Sequence, residues 1–254
     1  MRRWIGLAAP IVFIGALLAA WEAACRLLAV PSYVVPTPSA IAVALAQNAP
    51  LLFASAWTTL STSLVAFAVV AALASISALA AASARLVEDS FRPIAVTLQV
   101  TPIISLAPIF QIWWGIDYPG RAVVALACVA AFFPMYSGAL AGLRAADPEL
   151  ERLFDLYGAS PWQRMTRLRV PSAVPQALEG FKVGLGLALV GTVIGEMTVG
   201  GGSEGLAWRI QEASHRLEMA RSFAALAALA LMAGVLHLAF QALERRLLAW
   251  WRGR

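Results

Sequence analysis

Apolar residues in this chain come in long unbroken runs separated by short polar intervals. Each run approaches the roughly 20 residues that an α-helix needs to cross a hydrocarbon core of ~30 Å. Six such spans are predicted, near residues 5–24, 59–80, 93–113, 122–143, 178–197 and 223–243. Backbone facing lipid must satisfy its own hydrogen bonds, so helices are the expected form. A membrane barrel would instead alternate apolar and polar residues over segments of about ten. The expectation is an all-α integral membrane protein with six transmembrane helices, forming a single domain over residues 1–254.

The polar intervals are not equivalent. Residues 27–58 hold no charged side chain and carry Pro31, Pro36 and Pro38, which predict an extended connection followed by a short surface helix. Residues 81–92, with Arg85, Glu88, Asp89 and Arg92, read as a simple turn. The glycines at 200, 201, 202 and 205 break the fifth span, and Leu206 to Arg221 then mixes apolar and polar residues as an amphipathic helix does.

The interval at 144–177 is the most organised. Asp147-Pro148, with Glu149 and Glu151 behind it, has the design of a helix start: an acidic cap, proline at the first position and acids in the first turn. Gly158 supplies a stop, and Ser160-Pro161 starts a second short helix that Pro171 and Pro175 are expected to close. A helix, turn, helix element is predicted between the fourth and fifth spans.

Composition agrees with the hydropathy pattern, since 61% of residues are hydrophobic and 13% charged, against about 25% charged in soluble domains. Of the nineteen basic residues, Arg26, Arg121, Arg209, Arg216 and Arg221 fall on one side of the predicted topology and all others on the opposite side. Lys and Arg accumulate in cytoplasmic loops, so both termini and the 144–177 loop are assigned to the cytoplasm. The Arg2-Arg3 start imitates a secretory signal, yet no small-residue cleavage site with a soluble sequel follows, so the first span is expected to be retained.

Several kinds of chemistry are excluded. The formal charge of +5 is spread over loops rather than gathered in a stripe, which argues against nucleic acid. Cys25, Cys128, His215 and His237 lack metal-ligand or disulfide-framework spacing, so no metal is expected. No His-Glu-x-x-His motif or nucleophile elbow is present, and Lys182, the single lysine, has no phosphate-binding pattern around it. The chain is expected to be non-catalytic and to carry no cofactor. Any ATP driving transport must bind another subunit.

Gly158 followed by Leu168-Arg-Val170-Pro171 has the spacing Gly-x9-Leu-x-Val-Pro. This resembles the EAA loop of binding-protein-dependent ABC importer permeases. Trp21-Glu22, Pro36-Thr-Pro-Ser39, Thr101-Pro102 through Ala107-Pro108 to Trp113-Trp-Gly115, and Gly195-Glu196 extend the resemblance to the nitrate, sulfonate and taurine branch of type I importer permeases. The resemblance implies a MetI-like fold in the cell inner membrane. It implies as partners a dimer of ATPase subunits holding ATP and Mg, a periplasmic or lipid-anchored substrate-binding protein, and a second copy of the permease.

By that resemblance the 144–177 loop is a coupling element, with Glu151, Asp155, Gly158, Ala159, Ser160, Trp162, Arg164, Arg169 and Pro171 meeting the ATPase. Where the family pattern places Glu-Ala-Ala before the glycine, this chain has Arg152-Leu-Phe154, so Glu151 or Asp155 stands in for the acid. Arg164, Arg167 and Arg169 either meet acids of the partner or simply fix orientation. Thr101, Pro102, Gly191 and Glu196 are candidates for the translocation path or its gating. The fifth-span glycines pack either within one subunit or at a two-fold axis. The implied substrate is an anion of the nitrate, sulfonate or taurine kind. The alternatives are a pyrimidine, thiamine-precursor or riboflavin-type heterocycle, or a carrier working alone.

Overall fold

The computed structural model describes residues 2–114, 118–199 and 204–252, with side chains described from residue 12 to residue 249 within those ranges. All secondary structure among the described residues is helical. The chain divides into two compact units, Met1–Trp57 with Glu204–Leu231, and Thr58–Ser203 with Met232–Arg254.

In the first unit, α1 (Arg2–Leu27) leads into a proline-set connection and the short α2 (Pro38–Gln47). Thr37 caps α2 and Pro38 occupies its first turn, where a missing N–H is harmless. Glu22 near the end of α1 accepts from Ser39 N–H at 3.0 Å and from its hydroxyl at 2.8 Å, while Arg26 Nε donates to it at 2.7 Å. The two sequence signals, Trp21-Glu22 and Pro36-Thr-Pro-Ser39, are thus one device that ties α1 to the start of α2. Trp21 also meets Phe223 with ring centroids 6.0 Å apart.

α3 (Ala49–Ser83) starts in the first unit and continues in the second. Ala66, Val70, Ala74 and Ala78 are fully buried at four-residue spacing, a stripe of small side chains that lets neighbouring backbones approach. The 81–92 interval is not a simple turn. α3 runs to Ser83 and α4 (Arg85–Val100) begins two residues later.

The predicted third span is not one straight helix either. α4 and α5 (Ile103–Trp114) meet at Thr101-Pro102 with a bend of 101°. Pro102 removes a backbone donor and disfavours helical geometry at Thr101, so an apolar run with no hydropathy break still turns a corner. Thr101 instead lends both its N–H and its hydroxyl to the Thr97 carbonyl, closing α4.

α6 (Pro119–Arg144) and α9 (Val170–Val199) form the most extensive helix contact. A side chain on Gly180 would meet the Pro134 carbonyl at 2.7 Å and Gly138 Cα at 2.9 Å. One on Gly191 would meet Ala127 Cα at 2.6 Å, and Gly195 likewise presses on Val123. These fifth-span glycines therefore pack within one subunit. Ala131, Met135, Ala139 and Ala188 fill the core beside them.

α10 (Leu206–His215) is shorter than predicted, because Leu217 takes φ +59 and turns the chain before α11 (Met219–Arg252). The glycines at 200–202 lie outside the described residues, as do Gly115 and the side chains of Trp250 and Trp251. Among the described residues four helical stretches are long and apolar enough to cross a membrane, Ala49–Ser83, Pro119–Arg144, Pro161–Val199 and Met219–Ala249, and the bent α4 and α5 pair adds a fifth if it is one broken span. The first predicted span lies within α1, whose first side chains are outside the described residues.

Candidate functional site

The polar interval folds as its caps dictate. Asp147 accepts from Glu149 N–H at 2.8 Å and starts α7 (Pro148–Leu156). At the far end Gly158 takes φ +63, which lets Gly158 N–H reach the Asp155 carbonyl and Ala159 N–H reach the Phe154 carbonyl, both at 3.0 Å. That pair of bonds is the Schellman arrangement, which satisfies the last carbonyls of a helix. Ser160 and Gln163 then form a reciprocal capping box that starts α8 (Pro161–Arg164).

The second short helix does not close at Pro171 and Pro175. It passes through a π-turn at Met165–Arg169 and continues as α9, so Pro161–Val199 is one helical path of 39 residues. The reason is local. Pro171 has no N–H and its ring would press on the carbonyl four residues back, but a widened turn relieves that clash at the expense of one extra residue. The Val170 N–H accordingly donates to the Met165 carbonyl, five residues back.

The acids and arginines of the loop meet each other. Glu151 holds Arg169 Nε at 2.7 Å and stands 3.7 Å from Arg164, which also pairs with Asp155. This cluster braces α7 against α8 and the π-turn. Arg164 and Arg169, expected to meet a partner, are thus engaged within the chain. Arg167 is exposed and has no ion-pair partner among the described residues. Sequence reasoning missed the apolar tip around the turn: Leu156 is 85% exposed, Tyr157 83% and Trp162 75%. Only Trp162 had been singled out.

The remaining candidates separate into two places. Thr101 and Pro102 sit at the bend between α4 and α5, whose flanking residues Gln99 and Ile103 line a groove of about 690 Å³. Ser137 of α6 and Gln176 and Glu179 of α9 line it as well. Gly191 lies instead against Ala127 of α6, and Glu196 is buried on the same helix at 1% exposure. The sequence reading passed over Glu179, although an acid just inside an apolar span is a signal in itself. One turn beyond, Lys182 Nζ pairs with Glu244 of α11 at 2.8 Å.

Fold and site together define a helical membrane protein in which an exposed helical loop is continuous with the helix that lines a groove. The chain belongs to the family of binding-protein-dependent transport system inner membrane components, matching it over residues 71–249, and is an ABC transporter permease of the inner membrane. It is 30% identical over 251 residues to the formylaminopyrimidine transport permease protein ThiX of Halalkalibacterium halodurans, covering 98% of each chain. It is 29% identical over 250 residues to the riboflavin transport system permease protein RibX of Chloroflexus aurantiacus, covering 98% of this chain and 91% of that one. The putative aliphatic sulfonates transport permease protein SsuC of Bacillus subtilis is 26% identical over 247 residues, 96% of this chain and 87% of its own.

Proposed function

We propose that this permease is a single domain of six spans, α1, α3, the bent α4 and α5 pair, α6, α9 and α11, with both termini in the cytoplasm. Two copies enclose an inward path for a small polar solute that an external binding protein delivers. A dimer of separate ATPase subunits, holding ATP and Mg, docks on the α7 and α8 loop. The exposed tip of Leu156, Tyr157 and Trp162 enters a cleft of the ATPase, and Arg167 meets an acid there. Glu151 and Asp155 act from within, keeping the loop rigid.

The observation that carries this reading is the unbroken path from Pro161 to Val199. When the ATPase subunits close, a displaced α8 has no loop in which the motion can dissipate, so α9 and the groove must move with it. The substrate classes named for the relatives are sulfonates on one side and riboflavin or formylaminopyrimidine on the other. The permease is proposed to carry a solute of one of these classes.

The test is to tag the chain in its native host, solubilise it gently and identify what accompanies it. A P-loop ATPase is expected with the wild-type chain, and its recovery should fall sharply for Tyr157→Ala with Trp162→Ala. Recovery of the chain alone, with uptake that persists without ATP, would sink the importer reading and leave a carrier working by itself.

A further inference from the structure

The α4, α6 and α9 groove has a chemical character that distinguishes between the two substrate classes. Its polar lining consists of Gln99, Ser137, Gln176 and Glu179, all exposed side chains, and Glu179 is the one formally charged residue among those that line it. Lys182 lies on the next turn of α9, but it is paired with Glu244 at 2.8 Å and does not line the groove. No described ion pair neutralises Glu179. A carboxylate just inside an apolar span is costly against lipid, which favours a polar, water-accessible groove around it.

We propose that this groove recognises solutes rich in hydrogen-bond donors and lacking net negative charge, the chemistry of an amino-substituted heterocycle, and that Glu179 is the residue that discriminates against sulfonate-type anions. The inference rests on the permease reading and narrows it. An ionised carboxylate only accepts hydrogen bonds, so it selects for donors. Gln99 and Gln176 each add an amide that both donates and accepts, which suits the alternating edge of a heterocycle. Phe133 adds an apolar aromatic ring to the lining. The volume of about 690 Å³ lies in the range of roughly 300 to 1,000 Å³ usual for small-molecule sites.

Helix ends do not reverse this preference. The carbonyl end of α4 and the amide end of α5 meet at the same bend, and their partial charges of roughly half a unit are opposite in sign. Glu179 is therefore the one full charge on the lining itself; Lys182, which feels both Glu244 and Glu179, lies outside it. Glu179 is exposed, so water and salt screen its field, and the preference for a cation over an anion beside it is about tenfold.

The groove's field can be read without knowing the cargo. In the full-length chain with Cys25→Ser and Cys128→Ser, a reporter thiol is placed by Ser137→Cys, with Ala141→Cys as a second position on the same lining. Its reaction rates with a cationic and an anionic methanethiosulfonate are compared with those of a free thiol. The cationic reagent is expected to be favoured by about tenfold, and Glu179→Gln should return the ratio to the free-thiol value. Millimolar 4-aminopyrimidine, neutral at pH 7.5, should slow the labelling, while methanesulfonate, which carries a net negative charge, should not.

A ratio at or below the free-thiol value would overturn the proposal. So would methanesulfonate protecting as well as the aminopyrimidine, or the aminopyrimidine failing to protect. Failure of the permease reading would be visible separately, as the absence of an ATPase in the tagged complex.

Discussion

Two glycines with opposite surroundings show what single atoms decide here. A methyl group on Gly180 would run into the backbone of α6, whereas one on Gly186 would meet nothing within 4 Å. Gly180→Ala should therefore force α6 and α9 apart, at a cost of about 1–3 kcal/mol for overpacking, while Gly186→Ala should be neutral or mildly stabilising through helix propensity. Melting of the purified chain in detergent compares the two directly. Gly158 acts through its backbone instead. At φ +63 a Cβ costs roughly 1–2 kcal/mol, so Gly158→Ala should weaken the loop, with less ATPase recovered alongside the tagged chain, and Gly158→Asn should retain more than Ala does.

The helix-turn-helix was legible because its residues act locally: Asp147, Gly158 and Ser160 each do with their nearest backbone neighbours what their chemistry suggests. What escaped was set by longer range or by exception. Pro171 reads as a stop only if the helix must remain α, and the π-turn removes that condition. The corner at Thr101-Pro102 escaped because hydropathy measures polarity and carries no direction. The pairing of Glu151 with Arg169 could not be read from a separation of 18 residues. It makes a prediction at this scale: Arg169→Glu should lower ATP-driven uptake, and adding Glu151→Arg should restore part of it. Restoration will be incomplete, since both partners are partly exposed and such a pair is worth about 1 kcal/mol at most. Radiolabelled uptake in membrane vesicles measures both variants.

At the scale of the molecule, Lys182 and Glu244 tie α9 to α11 within the second unit. Glu244→Gln removes the ion-pair partner of Lys182, leaving only the more distant Glu179, and should lower the melting temperature of the purified chain. Lys182→Met combined with Glu244→Gln should recover much of the loss, because removing both charges is milder than stranding one. The surplus residue in the π-turn has a different kind of consequence. Successive residues of an α-helix are set about 100° apart around its axis, so one inserted residue shifts the phase of everything before it relative to everything after. The azimuth at which Trp162 stands, relative to the face of α9 that carries Gln176 and Glu179, is therefore fixed by whether Met165–Arg169 is wound as π or as α. A change of winding there would swing the tip like a key in a lock while the rest of the shaft kept its place.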